Sequence, residues 1–335
     1  MSLISYVLTN GFTVIASDVR KGKVINNSTQ PHCKAIVWFE PYHKVFIFPA
    51  PHNYFAVACH GVIPSNTTEL FREFEATLPA ERLTIEEYSL LLGDFFTQNL
   101  LQQSYEHRGN DKHWFNVVGY SPNSFERSFI RFNLPDQPQP EEIMKGARTF
   151  IETGFTEFAA SYKEVFRNTF MENFTKKLDN KKKLGFPYSK TENQMLDDYL
   201  ANKSSIRIMS QADCINFSQG LIEETSAKLF ESDELESVGK ATDTFVISPN
   251  KGLEIVSYDN SEEILSESAR HIILIDCCQP VTKIQINFVE TDLLKKGFIK
   301  YPENNKFACS NCKTEYDLSV LRFQIEESAN KQIVI

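Results

Sequence analysis

The sequence predicts an α+β protein in which runs of antiparallel strands are separated by helical pairs. Three observations carry this. Residues 3–17 read as a strand, a turn at Asn10-Gly11 and a second strand rich in β-branched residues, a strong short-range hairpin signal. Two capped amphipathic segments follow one another, one with Leu70, Phe71, Phe74 and Leu78 at helical spacing, the other with Leu90, Leu91, Phe95 and Leu100. Strand patterns then resume, which implies sheets covered by helical layers rather than the strand-helix alternation of a parallel sheet.

After the opening hairpin, residues 35–39, 44–48 and 54–59 read as strands, the last running into His60-Gly61. Ser65, Asn66 and Thr67 can cap the first helix, and Thr84 with Glu87 forms a capping box for the second. Residues 114–120 and 127–133 make a further hairpin that ends at the proline-rich stretch 134–140. From 141 to 200 the pattern is helical and polar, with Phe150, Phe155, Phe158 and Tyr162 as one apolar stripe, so a helical insertion is expected over about 135–205. Ser210 to Asp213 caps another helix, on which Cys214, Phe217, Leu221 and Ile222 share a face. Residues 244–256 give a last hairpin around Pro249 to Gly252. The domain expectation is a large unit over 1–265 and a small β-rich unit over 266–335.

Composition narrows the function classes. The chain has 335 residues, a formal net charge of −9 and 27 phenylalanines, the latter implying a well-filled core and an apolar assembly surface. With an acidic balance and basic residues scattered apart from Lys176, Lys177, Lys181, Lys182 and Lys183, nucleic acid is not an expected partner. No stretch is long and apolar enough to cross a bilayer and the start has no signal-peptide pattern, so no membrane partner and a cytoplasmic location are expected. His32, His43, His52 and His60 lack metal-ligand spacing. The seven cysteines are an odd number, and Cys33, Cys59 and Cys214 stand singly in apolar contexts, which argues against a disulfide framework.

The segments Thr13 to Arg20, Lys44 to Gly61 and Ser237 to Val256, in that order around the capped helices, resemble the proteasome β-subunit family, including the bacterial proteasome-like peptidases. The resemblance covers roughly residues 2–125 and 205–258. It implies a four-layer αββα N-terminal-nucleophile hydrolase sandwich, a homo-oligomer and a protein or peptide substrate. By the same resemblance Ser2, exposed by removal of Met1, is the nucleophile and its α-amino group the base. That role suits an amine whose pKa lies close to neutrality. Asp18 and Arg20 match the family's structural acid and the basic residue after it. Lys44 matches its buried lysine, with Lys34 as a rival. Gly61 matches the oxyanion glycine and Ser237 a serine near the amine. The sequence departs from the pattern in a longer gap between Asp18 and Lys44, in Glu234 where the family has Asp, in the loss of one glycine after Ser237, and in a helical segment where the family has a Gly-Ser-Gly loop. Both a peptidase using Ser2 and a catalytically silent scaffold or partner-binding subunit of that fold remain open at this level.

The C-terminal region has no counterpart in that family. Cys309 and Cys312 form a C-x-x-C between short strands, half of a structural zinc site that Cys277 and Cys278 could complete. Adjacent cysteines on a strand point to opposite faces, so both would join one site only across a bulge. An inert or redox-poised pair is the other reading. No cofactor is expected for catalysis.

Overall fold

A computed structural model describes residues 2–25, 33–61, 63–64, 66–101, 112–122, 127–146, 148–154, 156–190, 192–193, 197, 209–231, 238–258, 270–275, 282–285, 294, 298–301 and 306–317. It is a mixed α/β structure with several antiparallel sheets. In chain order the elements begin with β1 (Leu3–Leu8), β2 (Thr13–Asp18), β3 (Lys21–Ile25), β4 (Cys33–Glu40), β5 (Val45–Ile47) and β6 (Phe55–Gly61). Helices α1 (Thr67–Thr77) and α2 (Ile85–Leu101) precede β7 (His113–Tyr120), β8 (Arg127–Leu134), β9 (Gln137–Lys145) and β10 (Thr149–Gly154). Helices α3 (Ala159–Lys183) and α4 (Gln211–Glu231) lead to β11 (Thr242–Ser248), β12 (Gly252–Ser257), β13 (Arg270–Ile275) and β14 (Thr282–Gln285). The last strands are β15 (Phe298–Lys300), β16 (Lys306–Cys309) and β17 (Glu315–Asp317).

The chain divides into two compact units, residues 1–18, 43–225 and 242–259 in the first and 19–42, 226–241 and 260–335 in the second. The first unit holds two five-stranded antiparallel sheets, ordered β10-β1-β2-β11-β12 and β5-β6-β7-β8-β9. Strand side chains alternate between faces, so every second residue can serve one core. Ile4, Tyr6, Leu8, Ile15 and Phe245 of the first sheet pack in a single cluster with Val45, Ala56, Ala58, Val118 and Phe129 of the second. The opposite face of β1, β2 and β11 presents Val7, Val14 and Val246 to Cys214 and Phe217 of α4. Against the second sheet lies a run of rings: Phe71 with Phe46 at 3.8 Å, Tyr88 with Phe55 at 5.0 Å, and Phe96 with Phe115 at 4.8 Å between centroids. These contacts explain the phenylalanine content, because each helix rests on a sheet through aromatic area rather than through aliphatic side chains alone.

Local signals account for several helix starts. Thr84 N–H donates to Glu87 Oε2 at 2.9 Å while Glu87 N–H donates to Thr84 Oγ1 at 3.2 Å, a reciprocal capping box. Ser210 and Asp213 make the same exchange at 2.8 and 3.2 Å at the head of α4. At α1 the expectation differs from the structure. Asn66 occupies the cap position without a side-chain cap bond, and Ser65 lies outside the described residues.

Two further differences concern strands. Residues 137–154, expected to open a helical insertion, form β9 and β10, and helix begins only at Ala159. The proline-rich stretch is the turn into an edge strand, where a missing backbone donor breaks no ladder. Phe150 and Tyr162 still meet, at Phe217 4.4 and 5.5 Å away, but from a strand and a helix rather than from one helical stripe. The strand read at 35–39 is present, but in the second unit, while those read at 44–48 and 54–59 lie in the first. The 35–39 strand is β4, and the second unit pairs it with β3 and β13 in a four-stranded sheet ordered β14-β13-β4-β3, beside a separate β15-β16-β17 meander.

Candidate active site

Ser2 directly precedes β1 and is 5% exposed. Leu3 pairs with Gly154 across β1 and β10, and Gly154 sits at φ +90°. A methyl group there would collide with the Ser2 carbonyl oxygen, so only glycine lets the two backbones approach this closely. The next residue ties Ser2 to the opposite end of β2: Leu3 N–H donates to Asp18 Oδ1 at 2.8 Å.

The second oxygen of Asp18 is 2.6 Å from Lys44 Nζ, and both side chains have no exposed surface. Lys44 Nζ also donates to the Asp18 carbonyl oxygen at 2.9 Å, which fixes the ammonium against the strand end as well as against the carboxylate. The carbonyl of Lys44 in turn accepts from Cys59 N–H at 2.9 Å, anchoring the lysine beside β6. A fully buried ion pair is sustained only when further hydrogen bonds satisfy both partners, and here backbone groups supply them. Three segments far apart in sequence thus converge on the peptide that follows Ser2.

Gly61 ends β6 at φ +89°, exposed, opposite His113 of β7, and a side chain there would strike the Lys112 carbonyl. Its neighbour His60 stacks on Trp114 at 6.0 Å. Burial, helped by the charges of Arg131 and Lys44, pulls the His60 imidazole down to about 3, so it is neutral over the physiological range. The Arg131 guanidinium is held by Asn116 Oδ1 at 2.9 Å and lies 5.6 Å from the Trp114 ring. This end of β6 is therefore a cationic environment around an uncharged histidine.

A histidine-aspartate pair with no spacing signal to join it lies on the same charge network. His43 Nδ1 and Asp243 Oδ2 are 2.7 Å apart, and the His43 ring stacks on Tyr258 at 4.3 Å. Asp243 is fully buried, faces Ser17 in the β2-β11 register, and keeps Oδ1 without a hydrogen-bond partner. Burial raises its carboxyl above the ordinary range, opposed by His43 and Lys44 and reinforced by Asp18. His43 and Asp243 are 200 positions apart, so no spacing motif could have exposed them.

Arg20 belongs to the second unit, where its guanidinium reaches the Val238 carbonyl at 3.5 Å. Ser237, Cys277 and Cys278 lie outside the described residues. Cys309 is buried at the end of β16 and Cys312 is exposed in the turn after it, where Cys312 Sγ donates to Thr314 Oγ1 at 3.2 Å. Among the described residues no group of three or more His, Cys, Asp or Glu could hold a metal ion. Cys59 and Cys214 are buried thiols raised by desolvation, Cys214 to about 12. No helix among the described residues is long and apolar enough to cross a membrane.

No protein-family profile matches the chain, and no curated protein does. Among solved structures it is similar to the helical assembly of the Anbu complex from Pseudomonas aeruginosa, at 10% identity over 79% of this chain and 90% of that one, with a TM-score of 0.47. It is similar to an Anbu Gly-1 mutant from Hyphomicrobium sp. strain MC1, at 10% identity over 80% of this chain and 92% of that one, TM-score 0.44. It is also similar to Anbu, an ancestral β-subunit, from Yersinia bercovieri, at 9% identity over 79% of this chain and 91% of that one, TM-score 0.41.

Proposed function

We propose that the chain is a proteasome-like amide hydrolase of the N-terminal-nucleophile type, built on a four-layer αββα sandwich and acting on peptide bonds through Ser2. The observation that carries the reading is the buried Lys44–Asp18 pair at 2.6 Å, with the other Asp18 oxygen holding the amide of the residue after Ser2. In this reading removal of Met1 frees the Ser2 amine, which takes the proton of its own hydroxyl as that oxygen attacks a peptide carbonyl. The Lys44 charge disfavours protonation of nearby groups and so keeps the amine basic but unprotonated. Gly61, at the cationic end of β6, offers its N–H to the developing oxyanion. The amine leaving group takes the transferred proton, and water then hydrolyses the Ser2 ester. Self-association belongs to the same reading, supported by the exposed neighbours Leu90 and Leu91 on α2.

The test is the intact mass of the purified chain with and without a β-lactone. Ring opening by the Ser2 hydroxyl adds the whole lactone mass, with no leaving group. Loss of Met1 together with a single adduct that vanishes in Ser2→Ala is the expected result. Retention of Met1 with no adduct would overturn the hydrolase reading and leave a silent subunit of the same architecture.

A further inference from the structure

One cation between the two sheets of the first unit enters no step of the proposed chemistry, and strand β8 places it. Arg127 at the start of β8 donates to the Thr9 carbonyl in the β1-β2 turn, and Phe129, two residues on, meets Tyr6 edge-on at 5.0 Å. Arg131 follows two residues later, about 7 Å along the same face, past Tyr6 and toward the end of β1 that begins after Ser2. Its charge reaches the Tyr6 hydroxyl and the His60 ring, and the charge of Lys44 reaches that same ring. The Tyr6 hydroxyl also reaches Thr153, the neighbour of the Gly154 that abuts the Ser2 carbonyl. Arg131 therefore bears on the segment that carries Gly61 and on the strand end that carries Ser2.

The Arg131 guanidinium is held but not neutralised. Its Nε donates to Asn116 Oδ1 at 2.9 Å, and the group lies 5.6 Å from the rings of both Trp114 and Phe129. Glu141, opposite it in the β8-β9 register, is exposed and accepts from Gln137 Nε2 at 2.8 Å, while Glu142 accepts from the Ser128 hydroxyl at 2.6 Å. Among the described residues no ion pair includes Arg131, whereas Lys44 is paired with Asp18 at 2.6 Å and Lys112 with Asp136 at 2.7 Å. Arg131 is half-buried, and its Nη atoms, unlike Nε and Nη2 of Arg127, are not shut away from solvent without a partner. An arginine fixed at Nε and by ring contacts, with its Nη donors accessible, is a preorganised receptor for a carboxylate. Partial burial makes that attraction stronger than it would be in open water.

We propose, resting on the reading of Ser2 as nucleophile, that Arg131 gives the cleft beside Ser2 a preference for acidic peptides, its Nη donors taking the side-chain carboxylate of a Glu or Asp residue. The net charge of −9 repels such peptides at long range, so a preference for them has to come from a local cation.

The experiment uses the full chain as Ser2→Ala, which binds without cleaving, titrated calorimetrically with acetylated, amidated peptides identical except for one Glu, Gln or Lys. The Glu peptide should bind about tenfold or more tightly than its Gln isostere, the scale of a hydrogen-bonded charge, and the Lys peptide most weakly. Adding Arg131→Gln should bring Glu and Gln to within about twofold of each other. Arg131→Lys keeps the charge but loses the fork, and provides a second arm if the glutamine variant does not fold; there the preference should shrink about threefold or more. Equal affinity for the Glu and Gln peptides, or a preference unchanged in either variant, would overturn the proposal. Acylation of wild-type Ser2 by the β-lactone reports separately on the hydrolase reading. Acylation without a Glu preference removes only the role of Arg131, and a Glu preference without acylation leaves a silent subunit that recognises acidic peptides.

Discussion

Lys44→Met removes one partner of an ion pair whose two side chains have no exposed surface. The variant loses a 2.6 Å contact to the carboxylate and a 2.9 Å bond to the Asp18 carbonyl. It leaves Asp18 buried with only the Leu3 amide among these donors. Breaking a buried pair on one side typically costs about 3–5 kcal/mol, against about 0–1 for an exposed pair. Of a total stability of roughly 5–15 kcal/mol, that loss leaves a folded population that can still be measured. Urea unfolding of the wild type, Lys44→Met, Asp18→Asn and the double variant gives the coupling directly, and the double variant should recover part of the single-variant loss because no uncompensated charge remains. In the same proteins, β-lactone acylation of Ser2 should slow roughly 100-fold in Lys44→Met, the scale of a lost electrostatic contribution at a reacting centre. A cost below about 1 kcal/mol for Lys44→Met, with acylation unchanged, would refute both the burial argument and the role given to the pair.

Three further outcomes follow from other residues. His60 takes up a proton at 6.5 when unfolded but only at about 3 when folded. Stability should therefore be flat above pH 7 and fall by about 2 kcal/mol on going to pH 5, and denaturation at both pH values should show that slope lost in His60→Gln. Gly154→Ala forces a side chain into φ +90° and against the Ser2 carbonyl. It should cost about 1–3 kcal/mol, and acylation of Ser2 should fall further than the same destabilisation produces in a core variant such as Ile247→Val. If Cys309 and Cys312 complete a four-thiolate site with Cys277 and Cys278, elemental analysis should find one zinc per chain, lost in Cys312→Ser. Zinc retained in that variant would remove Cys312 from the ligand set.

Much of the first unit was legible because its signals are local. The Asn10-Gly11 hairpin, the Thr84–Glu87 and Ser210–Asp213 caps, and the helical spacing of Phe71 and Phe74 each need only a few neighbouring residues. Strands β9 and β10 escaped because Pro138 and Pro140 read as breakers, and an edge position, which tolerates them, is a property of the whole sheet. The pairing of β4 with β13 is set by a contact more than 200 positions distant, and the composition of β4 carries no trace of it. The site divides in the same way. Asp18 and Lys44 could be singled out only through a resemblance, since 26 positions separate them, and the His43–Asp243 pair had no sequence signal at all.

The two prolines of β9 have a consequence for how this molecule can be crowded. Residues two apart on a strand direct their backbone groups to the same side, so Pro138 and Pro140 delete two donors from one row. β9 is the edge strand beside β8, and the β8 register passes from Gln137 to Glu141 without pairing either proline. A foreign strand arriving there meets carbonyls without the alternating N–H groups that would lock it in register. At its β9 edge the sheet β5-β6-β7-β8-β9 is thus blunted against growth by backbone chemistry rather than by bulk. At high concentration, when a nascent or partly opened copy offers a free strand, that edge resists fibril-like extension while the rest of the surface stays available for association through side chains.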